Sequence, residues 1–451
     1  MSNPGNPVLR DIPLNPVLGS DYNDMFSFLN DTAARYPKSI SFVAGMPDES
    51  FFNVEDQLSA IQVFVDYLVG KTGKERLSMI NWIGQYNNSR GIINDVLVKY
   101  LACDEGIHVT EKDVLVTVGA QEAFAILVAT LCEKDKDVVL MESPGYIGLS
   151  AAAKILGHQP EGVALAEDGI DMEKLEKKIV SVNEKGRRVK LLYTIPDYQN
   201  PSGYSMSLQK RKALLEMAAR YNFLIVEDSV YSSFAYGEER NPTLKSLDTG
   251  SRVIYIGSFS KLLFPGMRIG MIVADQQIKN AKGAVIPLID ELEKVKGVFT
   301  NNTPGITQAM LAGLLIREQY SLRKINAPKI ESYRNKCKAL LKALDANVRS
   351  HRDGWASGIT WNEPEGGFFI KINLPFELDN NDLLLCAEKY GVLFCPMNYF
   401  YQDGGGKNEI RLAFSKPTLA EIEEGVKRLA GFLRAKAKAL EPLQAANHIS
   451  Y

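Results

Sequence analysis

The chain has 451 residues, of which 52 are Lys or Arg, 54 are Asp or Glu and 45% are hydrophobic. A net charge of −2 gives no support to nucleic acid or an acidic membrane surface as a partner. The longest apolar runs are far too short to cross a bilayer, and the length suits one large α/β unit with a smaller appendage.

At the N-terminus, residues 1–18 are rich in Pro and Asn and lack a continuous apolar core. They do not read as a secretory signal, so a cytoplasmic location is expected. The five cysteines (Cys103, Cys132, Cys337, Cys386 and Cys395) are widely spaced and show no C-x-x-C pattern, which reads as reduced core thiols. The four histidines stand apart, without the spacing of a zinc site, and no metal is expected.

From Val114 to Ala274, short apolar strands alternate with helical patterns. Val114 to Val118 precedes an amphipathic helix beginning near Gln121, and Val138 to Met141 precedes another from about Gly148. Lys190 to Tyr193 comes before a helix over 207–221 with Ser207 as its N-cap. Phe223 to Glu227, Val253 to Gly257 and Gly270 to Ala274 follow as strands. The alternation predicts an α/β fold whose large domain is a mostly parallel sheet sandwiched by helices.

Beyond Thr307 the texture changes. A long helical stretch from Gln308 to Asp345 is expected to break near Pro328. Strand candidates follow at Gly358 to Trp361, Gly367 to Ile372 and Ile410 to Phe414, with helices at Asn381 to Tyr390 and Thr418 to Ala439. This pattern predicts a smaller α+β domain. The expected division is 1–55 for an N-terminal arm and part of the small domain, 56–320 for the large domain and 321–451 for the C-terminal small domain. Gln402 to Asn408 reads as a loop, and the tail from Glu441 as frayed.

In open α/β sheets, ligands bind beyond the carboxyl ends of the strands, and five clusters fall there. Gly119-Ala120-Gln121 opens a helix, where backbone N–H groups can meet a phosphate. Tyr146 offers a ring to stack on a flat heterocycle, and Asn200 offers an amide on a Pro-Ser-Gly turn. Asp228 ends a strand, with Tyr231 three residues on. The fifth cluster is Ser258-Phe-Ser260-Lys261-Leu-Leu-Phe-Pro-Gly-Met-Arg268-Ile-Gly270. Its lysine can condense with an aldehyde while Ser258, Ser260 and Arg268 hold a phosphate, which is what pyridoxal 5'-phosphate requires of its protein.

Each element alone has a plainer reading: a strand-end cap for Asp228, a common turn for Asn200, a core aromatic for Tyr146. Their order and placement at strand ends favour the cofactor site. A buried aspartate keeps a pyridine nitrogen protonated, so that the ring draws electrons from the reacting carbon. The lysine, with a reference pKa of roughly 10.4, must be neutral to attack, and nearby positive charge favours that form. Arg268 suits a two-pronged grip on a phosphate.

With these residues in view, the chain resembles the fold-type-I pyridoxal-phosphate enzymes of the class I/II aminotransferase family, in particular the 2-aminoadipate and kynurenine aminotransferase branch. The similarity runs from about Ser41 to Leu433. Ser41-Phe-Val-Ala-Gly-Met-Pro-Asp48, Tyr193-Thr-Ile-Pro-Asp-Tyr-Gln-Asn-Pro-Ser-Gly203, Ile225-Val-Glu-Asp-Ser-Val-Tyr231, the lysine segment and Glu409-Ile-Arg-Leu-Ala-Phe414 carry it. The resemblance implies that Lys261 binds the cofactor covalently and shuttles the proton. It also implies that Asp228 pairs with the ring nitrogen, that Asn200 and Tyr231 hydrogen-bond the ring oxygen, and that Tyr146 stacks on the ring. Gly119, Ala120, Gln121, Ser258, Ser260 and Arg268 would take the phosphate. Arg411 would take the substrate α-carboxylate, with Asn200 and Gly45 beside it. Tyr86 would reach the partner subunit's phosphate in a homodimer with shared sites. The implied activity moves an amino group between an L-amino acid and a 2-oxo acid.

Two segments depart from the branch. Tyr86-Asn-Asn-Ser-Arg-Gly91 stands where it has Tyr-Gly-Pro-Thr-Glu-Gly, and Lys371 stands where an aromatic is common. The first departure leaves open an alternative in which the same cofactor-stabilised carbanion ends in elimination, replacement or cyclisation. Substrate-facing residues are expected on the arm (Pro13 to Asp24), the Tyr86 segment and the Gln402 loop. Arg10, Arg90 and Lys371 are the cations that could receive an acidic side chain, against the commoner role of a solvated surface charge.

Overall fold

The computed structural model describes residues 28–29, 31–237, 240–280 and 282–447. The expectations for Arg10 and for the arm over Pro13 to Asp24 lie outside these residues.

Eight strands build the large sheet: β1 (Val114–Thr117), β2 (Asp137–Ser143), β3 (Glu161–Ala166), β4 (Gly169–Ile170), β5 (Arg188–Thr194), β6 (Leu224–Asp228), β7 (Val253–Ser258) and β8 (Gly270–Val273). Their order across the sheet is β1-β8-β7-β6-β5-β2-β3-β4. β7, β6, β5, β2 and β3 pair in parallel, as the alternating pattern predicts. β8 runs antiparallel to both of its neighbours, β1 and β7. The reason is the shortness of the connection from Phe259 to Ile269: a parallel crossover needs a dozen or more residues, usually with a helix.

Period-two alternation sends side chains to both faces, and both are covered. Val138 and Leu140 of β2 join a core with Leu175, Ile179, Leu214 and Ile225. Val139 and Met141 join a larger core with Phe124, Leu127, Tyr193 and Ile254. Helices close each side, among them α1 (Gly119–Leu131), α2 (Ile147–Ile155) and α3 (Leu208–Tyr221). Ser207 caps α3 as predicted, its hydroxyl accepting from Lys210 N.

The predicted break near Pro328 is not there. The chain forms α4 (Gly305–Arg317) and α5 (Arg323–Asn347), and Pro328 lies inside α5. The interruption falls where Gln319 and Tyr320 adopt positive φ angles of 53° and 64°. Pro328 removes one amide donor near the start of α5, and the helix continues because Asn326, Lys329, Tyr333, Lys336 and Leu340 are buried along one face.

A second, antiparallel sheet follows, formed by β9 (Thr360–Trp361), β10 (Phe369–Asn373), β11 (Cys395–Pro396) and β12 (Glu409–Ala413) in the order β9-β10-β12-β11. It packs with α5 and α6 (Leu419–Asn447) around its own core of Leu340, Ile370, Ile410, Leu412, Val426 and Leu433. The tail expected to fray from Glu441 stays helical through Asn447, and residues 448–451 lie outside the described ones. Ile40 and Ser41 pair in parallel with Val392 and Leu393, so the segment ahead of Asp48 is stitched to this second unit. No helix among the described residues is long and apolar enough to cross a membrane.

Gly270 begins β8 against the start of α1. A methyl group there would lie 2.8 Å from the Gly119 carbonyl carbon and 3.0 Å from Ala120 N. Gly270→Ala is expected to destabilise the protein by about 1–3 kcal/mol, read as a lower urea midpoint at unchanged slope.

Candidate active site

The carboxyl ends of β1, β2, β5, β6 and β7 point to one edge of the sheet. There they meet β12 and the segment from Val43 to Met46 around a cavity of about 390 Å³. Ala120, Gln121, Tyr146, Asn200, Asp228, Tyr231, Ser258, Ser260, Lys261, Arg268, Arg411 and Gly45, all singled out in the sequence, line it.

Asp228 closes β6 and is 2% exposed. Its Oδ2 accepts from the Tyr193 hydroxyl at 2.7 Å, while Oδ1 is buried with no hydrogen-bond partner. Burial raises its pKa to about 7, with the neighbouring charge of Glu142 adding to the rise and the Tyr193 bond opposing it. Lys261 stands in the turn after β7 and donates to the Gly45 carbonyl at 2.9 Å. Burial first, then the positive charges of Arg411 and Arg268, bring its pKa down to about 8. Roughly a fifth of this amine is therefore neutral near physiological pH, far more than for an ordinary lysine.

Arg268 takes the left-handed region (φ 53°), which turns its guanidinium back under β1. Nη1 donates to Ser260 Oγ and the Pro265 carbonyl, each at 3.3 Å, and Nη2 donates to the Val118 carbonyl at 3.3 Å. Ser258 Oγ accepts from Ser260 N at 3.3 Å. Gly119 has φ 73°, and a Cβ on it would collide with the Arg268 guanidinium. No side chain caps α1, so the first-turn N–H groups of Ala120 and Gln121 face this cluster. Hydroxyls, a guanidinium and a helix N-terminus meet at one place.

Arg411, on β12, is 5% exposed and sandwiched between the rings of Phe369 (4.6 Å) and Phe400 (5.0 Å). Nη1 donates to Asn200 Oδ1 at 2.6 Å, Nη2 donates to the Val43 carbonyl, and the buried Nε has no partner. Gly45 is a glycine because a Cβ there would run into the Phe369 ring. Tyr231 meets Phe368 and Phe369 edge-on. Tyr146 precedes α2, and burial lifts its phenol to about 12.

Three sequence candidates are elsewhere. Tyr86 is 79% exposed and lies outside the cavity lining of its own chain. Arg90 is held by Asp290 at 2.6 Å and by Glu293. Lys371 is directly opposite Arg411 in the sheet, but its ammonium pairs with Glu409 at 2.8 Å, and Glu409 also accepts from the Tyr401 hydroxyl.

Other residues were not singled out in the sequence. Glu142, fully buried at the end of β2, accepts from the Thr194 and Tyr204 hydroxyls, from Ile195 N at 3.2 Å and from Gln199 Nε2 at 3.0 Å. It thereby holds the irregular segment that presents Asn200. Tyr193 and Phe400 join it as supports of Asp228 and Arg411. Only the tyrosine had a signal, as the first residue of the block ending at Gly203.

This donor set fits pyridoxal 5'-phosphate. The unpartnered Asp228 Oδ1 would suit a cationic ring N–H, Lys261 would supply the amine, and the Arg268 cluster would cradle a dianionic phosphate. The family model for aminotransferase class I and II matches residues 85–429. The (S)-3,5-dihydroxyphenylglycine transaminase of Amycolatopsis orientalis is 39% identical over 412 residues, covering 91% of this chain and 92% of the relative. The 2-aminoadipate transaminase of Thermus thermophilus is 31% identical, with 88% and 91% covered. Among solved structures, the kynurenine aminotransferase of Pyrococcus horikoshii superposes with a TM-score of 0.79 at 29% identity, covering 94% of this chain and 97% of that one.

The raised pKa of Asp228 has a stability consequence. Folded, the carboxyl ionises near pH 7; unfolded, it ionises near 3.8. The cofactor-free protein therefore loses stability as pH rises through that window. Cofactor-free Asp228→Asn is expected to be more stable than cofactor-free wild type at pH 8, by roughly 1–4 kcal/mol in urea unfolding, and no more stable below pH 4.

Proposed function

The chain belongs to the class I and II aminotransferases and moves an amino group between an amino acid and a 2-oxo acid with pyridoxal phosphate; within that activity, we propose a division of labour among its residues and a preferred substrate class. Bound at the cavity, the cofactor supplies an electron sink for the substrate α-carbon. Lys261 would hold it covalently until the substrate's amine takes its place, and the freed Nζ, with its pKa near 8, would take the proton from the substrate α-carbon. Asp228 Oδ1 would accept from the ring nitrogen, with Tyr193 keeping the carboxyl turned for that bond. Asn200 and Tyr231 would hold the ring oxygen, and Tyr146 would stack on the ring. Gly119, Ala120, Gln121, Ser258, Ser260 and Arg268 hold the phosphate. Arg411, kept planar between Phe369 and Phe400, takes the α-carboxylate as a fork in exchange for the Val43 carbonyl.

The observation that carries the substrate class is the lining. Its cations among the described residues are Lys261, Arg268 and Arg411, each with a role already. The remaining wall includes Leu29, Ala44, Met46, Ile147, Cys395 and Phe400. An acidic side chain meets no free counter-charge there, whereas an aromatic or other apolar one is buried well. Relatives named for dihydroxyphenylglycine and kynurenine support this choice over 2-aminoadipate. In single-turnover conversion of the bound cofactor to its amine form, phenylalanine or kynurenine is expected to exceed 2-aminoadipate in kcat/KM by about 100-fold or more. Parity between the two would defeat the assignment.

A second copy of the chain completes the enzyme in this reading. Leu77 (65% exposed), Ile80, Trp82, Phe299 and Ile306 leave apolar surface uncovered around Tyr86, on helices flanking the large sheet. Five free cysteines suit a reducing cytoplasm. Mixing inactive Lys261→Ala with impaired Tyr86→Ala protein is expected to restore activity that neither has alone, because a mixed dimer then holds one intact site. No recovery, with exchange verified by mass, counts against sharing.

A further inference from the structure

α5 carries a polar stripe that the reaction does not use directly. Asn326, Lys329, Tyr333 and Lys336 recur every three or four residues and are buried on one face. Lys329 is 4% exposed, and its Nζ donates to the Leu262 carbonyl at 2.5 Å. No carboxylate among the described residues pairs with it, and burial pulls its pKa down to about 8. Leu262 directly follows Lys261. A buried ammonium without a counter-ion is costly, and an apolar side chain of the same shape would remove that cost.

The rest of the stripe reaches the other half of the site. The Tyr333 hydroxyl accepts from Asp48 N at 2.9 Å. Lys336 pairs with Asp48 Oδ2 at 2.7 Å and donates to the Ser415 carbonyl at 2.8 Å. Ser415, just past β12, donates its hydroxyl to the Met46 carbonyl at 2.6 Å. The segment from Val43 to Asp48 thus has its far end fixed by α5, while its Gly45 and Val43 carbonyls receive Lys261 and Arg411. One rigid helix therefore grips the turn bearing Lys261, the segment between the two cations and the strand end bearing Arg411. None of the three residues lines the cavity.

We propose that Lys329, Tyr333 and Lys336 are positioning residues that hold Lys261 and Arg411 in register across the two halves of the site, Lys329 through Leu262 and the other two through Asp48 and Ser415. The inference rests on the roles given above to Lys261 and Arg411.

Two readouts on the holoenzyme separate the halves: the pH midpoint of the cofactor's visible band reports on Lys261, and the Kd of 3-phenylpropionate reports on Arg411. Lys329→Met is expected to move the midpoint by about half a pH unit or more and to leave the Kd within about twofold. Lys336→Met and Tyr333→Phe are expected to raise the Kd by roughly three- to tenfold with the midpoint in place. Lys329→Gln and Lys336→Gln are read in the same way if a methionine variant does not fold. Lower melting temperatures with both readouts at wild-type values would overturn the proposal, leaving the stripe as ordinary packing. Borohydride reduction of wild type followed by peptide mapping keeps the two readings apart. A label on a lysine other than Lys261 sinks the site assignment, while a label on Lys261 with unmoved readouts sinks only the role of α5.

Discussion

Asp228 ends the fully covered strand β6 with one oxygen bound by Tyr193 and the other bound by nothing. A carboxyl in that position strains the protein toward whatever can share its charge. The parallel sheet makes the position possible: helices on both faces remove water from the strand end, and the neighbouring strands end at the same edge. The same burial that raises the Asp228 carboxyl lowers the Lys261 amine. The carboxyl and the amine are thus both tuned by burial at one cavity, and neither is neutralised by pairing with the other. In the proposed roles, a cationic ring and a covalent bond would satisfy the two together.

Two of the three cations that line the site, Lys261 and Arg411, are held by backbone carbonyls of a single segment. Lys261 rests on Gly45 and Arg411 on Val43, while Asn200 accepts from the same guanidinium. A carbonyl is a weaker partner for a guanidinium than a carboxylate, so in the proposed role an incoming α-carboxylate would displace it at modest cost. The rings of Phe369 and Phe400 hold the guanidinium plane during that exchange. In the proposed role, Arg411 would meet substrate without an internal ion pair that has to break first.

Much of this was legible in the chain. Apolar runs bounded by turn residues marked the strands, and Asp228, Asn200, Tyr146 and Lys261 could be placed at strand ends because the sheet had to be parallel. What was hidden depended on distant pairing. Lys371 gave no sign of meeting Glu409, because a lysine and a glutamate many residues apart become neighbours only through the register of β10 and β12. Glu142 gave no sign of its role, because its four donors come from the end of β5 and the segment after it. Pro328 misled in the other direction. Its local effect was read correctly, but the buried face of α5 outweighs one missing hydrogen bond, and the chain breaks instead at Gln319 and Tyr320.

Those distant pairings also shape selectivity. The sequence offers Arg90 and Lys371 as cations that could receive a second carboxylate, Arg90 in the segment near the expected mouth of the site. The fold commits both: Asp290 and Glu293 take Arg90, and Glu409 takes Lys371 with Tyr401 behind it. To bind an acidic side chain, either cation would have to leave a partly buried ion pair and expose the carboxylate it had covered. The net gain in charge would be nil, and one desolvated group would be left over. The proposed preference for a neutral side chain therefore rests on where the acidic residues sit, and not on any shortage of positive charge in the sequence.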